Sequence, residues 1–145
     1  MKEFNFSLER VLKVREITEE DLQQQLKQAQ EEKEKQEERL TGLLEQHEQY
    51  KTEFLDNVDK PMKVCDIQHY SSYFPRLIRR IDEQRQRLQQ AEKHLNKCYL
   101  EWQEARKERK IMENLKEKKR EQHRREWLKT EQKFFDELAQ NPKRI

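Results

Sequence analysis

The sequence predicts an all-α protein: two long helices folded back on each other as an antiparallel coiled-coil hairpin, forming a single domain over residues 1–145. Three observations carry that expectation. First, 43% of the 145 residues are charged and 32% are hydrophobic, with 1 Gly and 3 Pro, so the chain is rich in helix formers and poor in the residues that make turns. Second, apolar residues recur at alternating steps of four and three along two stretches separated by one interior turn signal. Third, residues 1–60 carry 10 Lys/Arg against 16 Asp/Glu, whereas residues 61–145 carry 22 against 14. The two stretches therefore have opposite net charge and attract each other when paired.

The first helix is expected over about residues 7–57. Ser7 is placed as its N-cap, with Glu9 in the first turn near the positive end of the helix dipole. Its track runs Leu8, Leu12, Arg15, Glu19, Leu22, Leu26, Ala29, Lys33, Gln36, Leu40, Leu43, His47, Tyr50, Phe54. Lys33 and Gln36 are its weak point. The flanks are too polar for this helix to stand on propensity alone, so it needs a partner helix.

Asn57-Val58-Asp59-Lys60-Pro61 reads as a turn, placed at about residues 58–65. The second helix, about 66–139 with a cap near Asp66, carries Ile67, Tyr70, Phe74, Leu77, Ile81, Leu88, Ala91, Leu95, Cys98, Trp102, Ala105 and Met112 on its apolar track. Pro75 has no N–H to give the Ser71 carbonyl, so a kink or a short break is expected there. Asn141-Pro142 marks the end.

A turn near residue 62 pairs positions whose numbers add to about 124, which sets Leu22 beside Trp102 and Gln36 beside Leu88; a one-heptad slip to 117 is the competing register. The register near 124 also sets Arg15 against Arg109, unfavourable unless Glu19 intervenes. In either register the second helix outruns the first, leaving residues 112–139 as an overhang without a partner in the chain.

The chemistry that this composition excludes is broad. One glycine cannot build a phosphate-binding loop, a dinucleotide fingerprint or a nucleophile elbow. Acidic pairs such as Glu37 and Glu38 lie in a solvated strip with no cleft to shift them. Cys65 with His69 and His94 with Cys98 have one-turn spacing suited to zinc, but the pairs are 25 residues apart on one helix, roughly 37 Å. No catalytic, cofactor or metal site is therefore expected, and no small-molecule substrate. His47 and His123 are read as polar positions. No stretch approaches the roughly 18 apolar residues of a membrane span, no signal peptide is recognisable, and two cysteines fit a reducing compartment.

What remains is binding. Residues 106–125 hold ten Lys/Arg against Glu108, Glu113, Glu117 and Glu121, a surplus that nucleic acid or an anionic membrane could attract, although glutamates at i,i+3 and i,i+4 favour a self-neutralised or protein-docking face. Trp127, Phe134 and Phe135 lie on the overhang, where apolar groups without a partner point to burial in another protein. Tyr50, Phe54, Tyr70, Tyr73 and Phe74 gather around the turn, more aromatic bulk than closing two helices requires.

Several segments resemble the flagellar FliJ family. They are the opening Phe4-x-Phe6-x-Leu8-Glu9-Arg10-Val11-Leu12-Lys13-x-Arg15-Glu16, then Leu43-x6-Tyr50 followed by Tyr70-x2-Tyr73-x3-Leu77-x3-Ile81, and the ending Phe135-Asp136-Glu137-Leu138-Ala139. The resemblance covers the whole chain; Pro75 departs from it. It implies a non-enzymatic stalk-like coiled coil of the bacterial flagellar type III export apparatus, cytoplasmic and peripheral at the cytoplasmic face of the cell membrane at the flagellar base. Its implied partners are the export ATPase FliI with its regulator FliH, the cytoplasmic domain of the export gate protein FlhA, and substrate chaperones. The positions matching the gate-contact region are Leu43, Tyr50, Tyr73 and Leu77. The ATPase-facing end comprises Val11, Leu12, Arg15, Lys119, Arg120, Arg124, Arg125, Trp127, Phe134 and Phe135. Two other readings stand beside this one: a basic coiled coil associated with nucleic acid, and a homodimeric scaffold in which the Leu8–Phe54 heptads pair between chains.

Overall fold

A computed structural model describes residues 3–141. Two helices account for nearly all of them: α1, Glu9–Asn57, and α2, Val64–Gln140, with no strand among the described residues. The chain divides into two compact units, Met1–Leu22 with Trp102–Ile145, and Gln23–Glu101. Each contains one stretch of α1 and one of α2.

The helix ends follow local chemistry. The Leu12 amide donates to the Leu8 carbonyl at 3.0 Å, so α1 starts at Glu9 and Ser7 lies in the turn before it rather than at the cap position. Between the helices, the Lys60 amide donates to the Asn57 carbonyl at 3.1 Å, and Pro61 follows where a donor is not needed. The amides of Asp66 and Ile67 both donate to the Lys63 carbonyl. Asp66 thus belongs to the first turn of α2, two residues inside its start, where its carboxylate meets the helix dipole. No break occurs at Pro75; α2 runs through it. Both Pro75 and Ser71 are exposed, so water can serve the carbonyl that proline leaves unpaired. Pro142 lies outside the described residues.

In the Gln23–Glu101 unit the two helices meet antiparallel: Gln36 contacts Gln84, Gln46 contacts Tyr73, and Phe54 contacts Tyr70. Its buried apolar residues are Ala29, Leu77, Ile81 and Cys98. At its centre the polar Gln36 and Gln84 are themselves buried. Gln84 Nε2 donates to Gln36 Oε1 at 2.6 Å and to the Gln36 carbonyl at 3.1 Å, and Gln36 Nε2 donates to Glu32 at 2.7 Å. Gln36 therefore faces Gln84, one turn from the Leu88 that the simple register supplied. An amide can satisfy another amide; a leucine cannot.

In the unit holding both chain ends, Leu12 and Ala105 are buried and charged pairs bridge the helices. Arg15 bonds Glu108 at 2.6 Å, Lys116 pairs with Glu9 at 2.8 Å, and Arg109 bonds both Glu19 and, at 2.7 Å, Glu113. Each of the two arginines that the register opposes thus has a carboxylate on the facing helix, Glu108 for Arg15 and Glu19 for Arg109, and Glu19 is the residue that the sequence suggested. The hydrogen bonds that Arg109 donates to Glu19, then to Glu113, hold its guanidinium above its ordinary value. Cross-helix pairs have numbers adding to between 119, for Gln46–Tyr73, and 128, for Glu19–Arg109, with Arg15–Glu108, Tyr50–Phe74 and Glu9–Lys116 at 123, 124 and 125. They centre on the register near 124 rather than the one near 117.

Two stability outcomes follow from these contacts. Gln84→Leu strips the buried Gln36 carbonyl and amide oxygen of their donor and should cost about 1–3 kcal/mol, whereas Gln36→Leu with Gln84→Leu should be near neutral or stabilising; urea denaturation of the three proteins measures both. Gly42 is exposed within α1, and a Cβ there would meet nothing within 4 Å. Gly42→Ala should therefore raise stability by about 0.5–1 kcal/mol in the same assay.

Candidate functional site

Two surfaces stand out, one in each unit. In the Gln23–Glu101 unit an aromatic cluster forms beside the turn. Tyr50 on α1 stacks on Tyr73 of α2 with ring centroids 3.9 Å apart and makes edge contacts with Tyr70 and Phe74 at 5.5 and 5.7 Å. Phe54 closes on Tyr70 and Phe74, and His47 meets Phe74 edge-on. His47 is thus part of the packing and not a free polar position. The hydroxyls are used as well: Tyr50 OH lies 2.7 Å from His69 Nε2, and Gln46 Nε2 donates to Tyr73 OH at 2.5 Å. Desolvation, followed by the neighbouring Tyr73, Tyr70 and Glu53, pushes the Tyr50 phenol above its ordinary value.

Of the positions matched to gate contact, Tyr50, Tyr73 and Leu43 are half-buried and present part of their surface. Leu77 is 1% exposed and supports the cluster from beneath. Around the turn itself Leu55, Val58, Val64 and Ile67 are exposed. Sequence spacing could not separate these from core, because both kinds follow the same helical steps.

The other surface belongs to the unit holding the chain ends. The stretch after Met112 is not bare along its whole length. Ahead of α1, residues 3–6 are not helical, and Phe4 packs its ring on His123 at 5.7 Å while the Arg120 guanidinium lies over the same ring at 5.8 Å. With Glu9 holding Lys116, this covers α2 as far as His123. Counting partners from the start of the helix missed this cover; Phe4 and Phe6 ahead of Ser7 were the signal. His123 is half-buried, so it does not lie on a solvated basic face. Its Nδ1 is buried without a hydrogen-bond partner.

Beyond His123 the apolar residues continue. Trp127 and Leu138 are half-buried, and Phe134 and Phe135 are 58% and 59% exposed, in edge contact with each other at 6.1 Å. The basic residues between are engaged: Arg124 and Arg125 both bond Glu121, and Arg120 pairs with Glu117 at 3.9 Å. Arg124, more than Arg125, holds the exposed Glu121 carboxyl below the usual carboxylate range. Lys119 is exposed. Of the remaining positions assigned to this end, Leu12 is buried, Arg15 is tied to Glu108, and Val11 is exposed.

Among the described residues no group of three or more His, Cys, Asp or Glu is arranged to hold a metal, and no helix is long and apolar enough to cross a membrane. Cys98 Sγ lies 3.6 Å from His94 Nε2, while Cys65 is exposed.

The family model described as the flagellar FliJ protein matches residues 4–142. The chain belongs to the FliJ family. Membership makes it a component of the flagellar type III export system, a family of non-enzymatic proteins. A solved structure from Chlamydia trachomatis, described as a YscO homologue, has the same fold as this FliJ-family chain: the TM-score is 0.62 at 18% identity, over 98% of this chain and 96% of the other. No curated protein matches the sequence.

The turn-side cluster has a pH signature. The fold holds the Tyr50 proton more tightly than the unfolded chain does, so its contribution is present below pH 10.0 and is lost as pH rises beyond that value. The parent should lose thermal stability across this range more steeply than Tyr50→Phe, as read by circular dichroism, and should show one late-titrating phenol in its ultraviolet spectrum.

Proposed function

We propose that this FliJ-family chain is a non-catalytic linker of the export apparatus, joining the export ATPase to the export gate. The observation that carries the proposal is the pair Phe134 and Phe135, 58% and 59% exposed near the end of a helix whose cover by the described N-terminal residues is seen as far as His123. Exposed neighbouring aromatics of this kind are the usual anchors of a protein interface. The unit holding the chain ends would dock the ATPase FliI and its regulator FliH, using Trp127, Phe134 and Phe135, with Val11 and Lys119 beside them. The aromatic cluster at the turn would dock the cytoplasmic domain of FlhA through the exposed parts of Tyr50, Tyr73 and Leu43, with Leu77 holding the cluster in shape. Substrate chaperones would be escorted between these partners at the cytoplasmic face of the membrane.

The ion pairs bear on the nucleic-acid reading. Arg15, Arg109, Lys116, Arg120, Arg124 and Arg125 each have a carboxylate within the chain. Fewer cations are left to replace the counterions of a phosphate backbone, which favours a protein partner.

Phe134→Ala with Phe135→Ala tests the assignment without touching the core. Binding to the ATPase should weaken about tenfold or more, with the thermal transition and binding to the gate domain unchanged. Equal ATPase binding by the two proteins would place the partner of this end elsewhere.

A further inference from the structure

The terminal unit contains a device that the docking reading does not use. On α2 the line of residues turned toward the rest of the unit runs on past the start of α1, through Lys116, His123, Trp127 and Leu138. Its first part is occupied by the chain's own N-terminal segment, which lies there without helical structure. Two contacts hold the segment, both through Phe4: its ring on His123 and the Arg120 guanidinium over it; the Glu9–Lys116 pair anchors the start of α1 just behind it. The cover is also chemically incomplete: His123, on which Phe4 packs, has its Nδ1 buried with nothing to bond. An unpaired buried nitrogen weakens the contact that creates it, and a partner able to supply a carbonyl or carboxylate there would remove that defect.

We propose that residues 3–8 form a displaceable strap that masks the ATPase-docking face of α2, so that a partner segment must lift Phe4 to reach His123 and Trp127. The proposal rests on the reading that this end docks the ATPase, and adds that the free chain is partly closed to it. The strap is suited to that role by position. Apart from Leu8, whose carbonyl accepts the first helical hydrogen bond of α1, it lies ahead of that helix and outside the pairs Arg15–Glu108 and Glu19–Arg109, so Phe4 can leave while they stay formed. Its aromatic ring and the cation above it imitate the contact expected of the incoming partner: an apolar group among Lys116, Lys119 and Arg120. Closure lowers the apparent affinity by the fraction of time the face is covered, which is how such a cover sets a threshold for assembly.

The test is Phe4→Ala in the full chain, with Phe4→Tyr as the variant that keeps the ring. Amide hydrogen exchange of residues 116–127 should quicken about tenfold in Phe4→Ala, with residues 23–101 unaffected. Affinity for the export ATPase should rise about three- to tenfold. Phe4→Tyr should behave as the parent in both. Unchanged exchange would show that Phe4 covers nothing, and quicker exchange with equal or weaker ATPase binding would show that the segment supports docking or is indifferent to it; either overturns the strap. If no form of the chain binds the ATPase, the docking reading fails by itself. The masking claim is then decided by an anionic naphthalene dye: brighter emission with Phe4→Ala than with the parent upholds a masked apolar face, and equal emission overturns it.

Discussion

The narrowness of the seam between α1 and α2 governs this structure. Neither helix has an apolar face wide enough to be stable in water alone, and pairing buries few large side chains: Leu12, Leu77 and Ile81, with the small Ala29, Cys98 and Ala105. With so little apolar volume, many slipped pairings would bury nearly as much. Polar contacts must then choose among them. In one unit the choice is made by Gln36 and Gln84, in the other by Glu19 with Arg109, Arg15 with Glu108 and Glu9 with Lys116. Each of these would lose its partner if the helices slid by a heptad, which is the use of buried polar groups best attested in coiled coils.

The same narrowness explains where binding surfaces can form. Apolar residues beyond those needed for the seam have nowhere to hide: some, such as Val14, Ile17, Leu100 and Ile111, are exposed singly along the helices, while aromatic ones form groups beside the turn and, as Phe134 and Phe135, at the C-terminal end of α2. The charged residues elsewhere pair locally and keep the rest of the surface hydrated. An aromatic surface in each unit is the feature on which the proposed docking of other proteins rests.

Much of this was legible in the sequence because coiled coils write their structure in periodicity. The alternating four-three steps gave both helices and the turn, and the conflict between Arg15 and Arg109 pointed to Glu19. What stayed hidden was whatever did not follow the period. Phe4 has no helical neighbours, so its contact with His123 was invisible to any count of heptads. Tyr70 and Leu77 share the track, yet only Tyr70 has surface to offer. Gln36 reads as a weak point because it is a polar residue on the apolar track; the partner that satisfies it, Gln84, lies a single turn from the Leu88 that the register set beside it. Pro75 reads as a kink or a short break because proline removes a donor; α2 continues through it without a break, and the exposed carbonyl has water to replace that donor.

The central claim, that this chain serves flagellar export, is tested most directly by the amount of flagellar protein secreted into the medium by the flagellated bacterium that encodes it, with and without residues 1–145. The account predicts that secretion collapses on deletion and returns when the intact chain is supplied from a plasmid. Undiminished secretion in the deleted strain would contradict it.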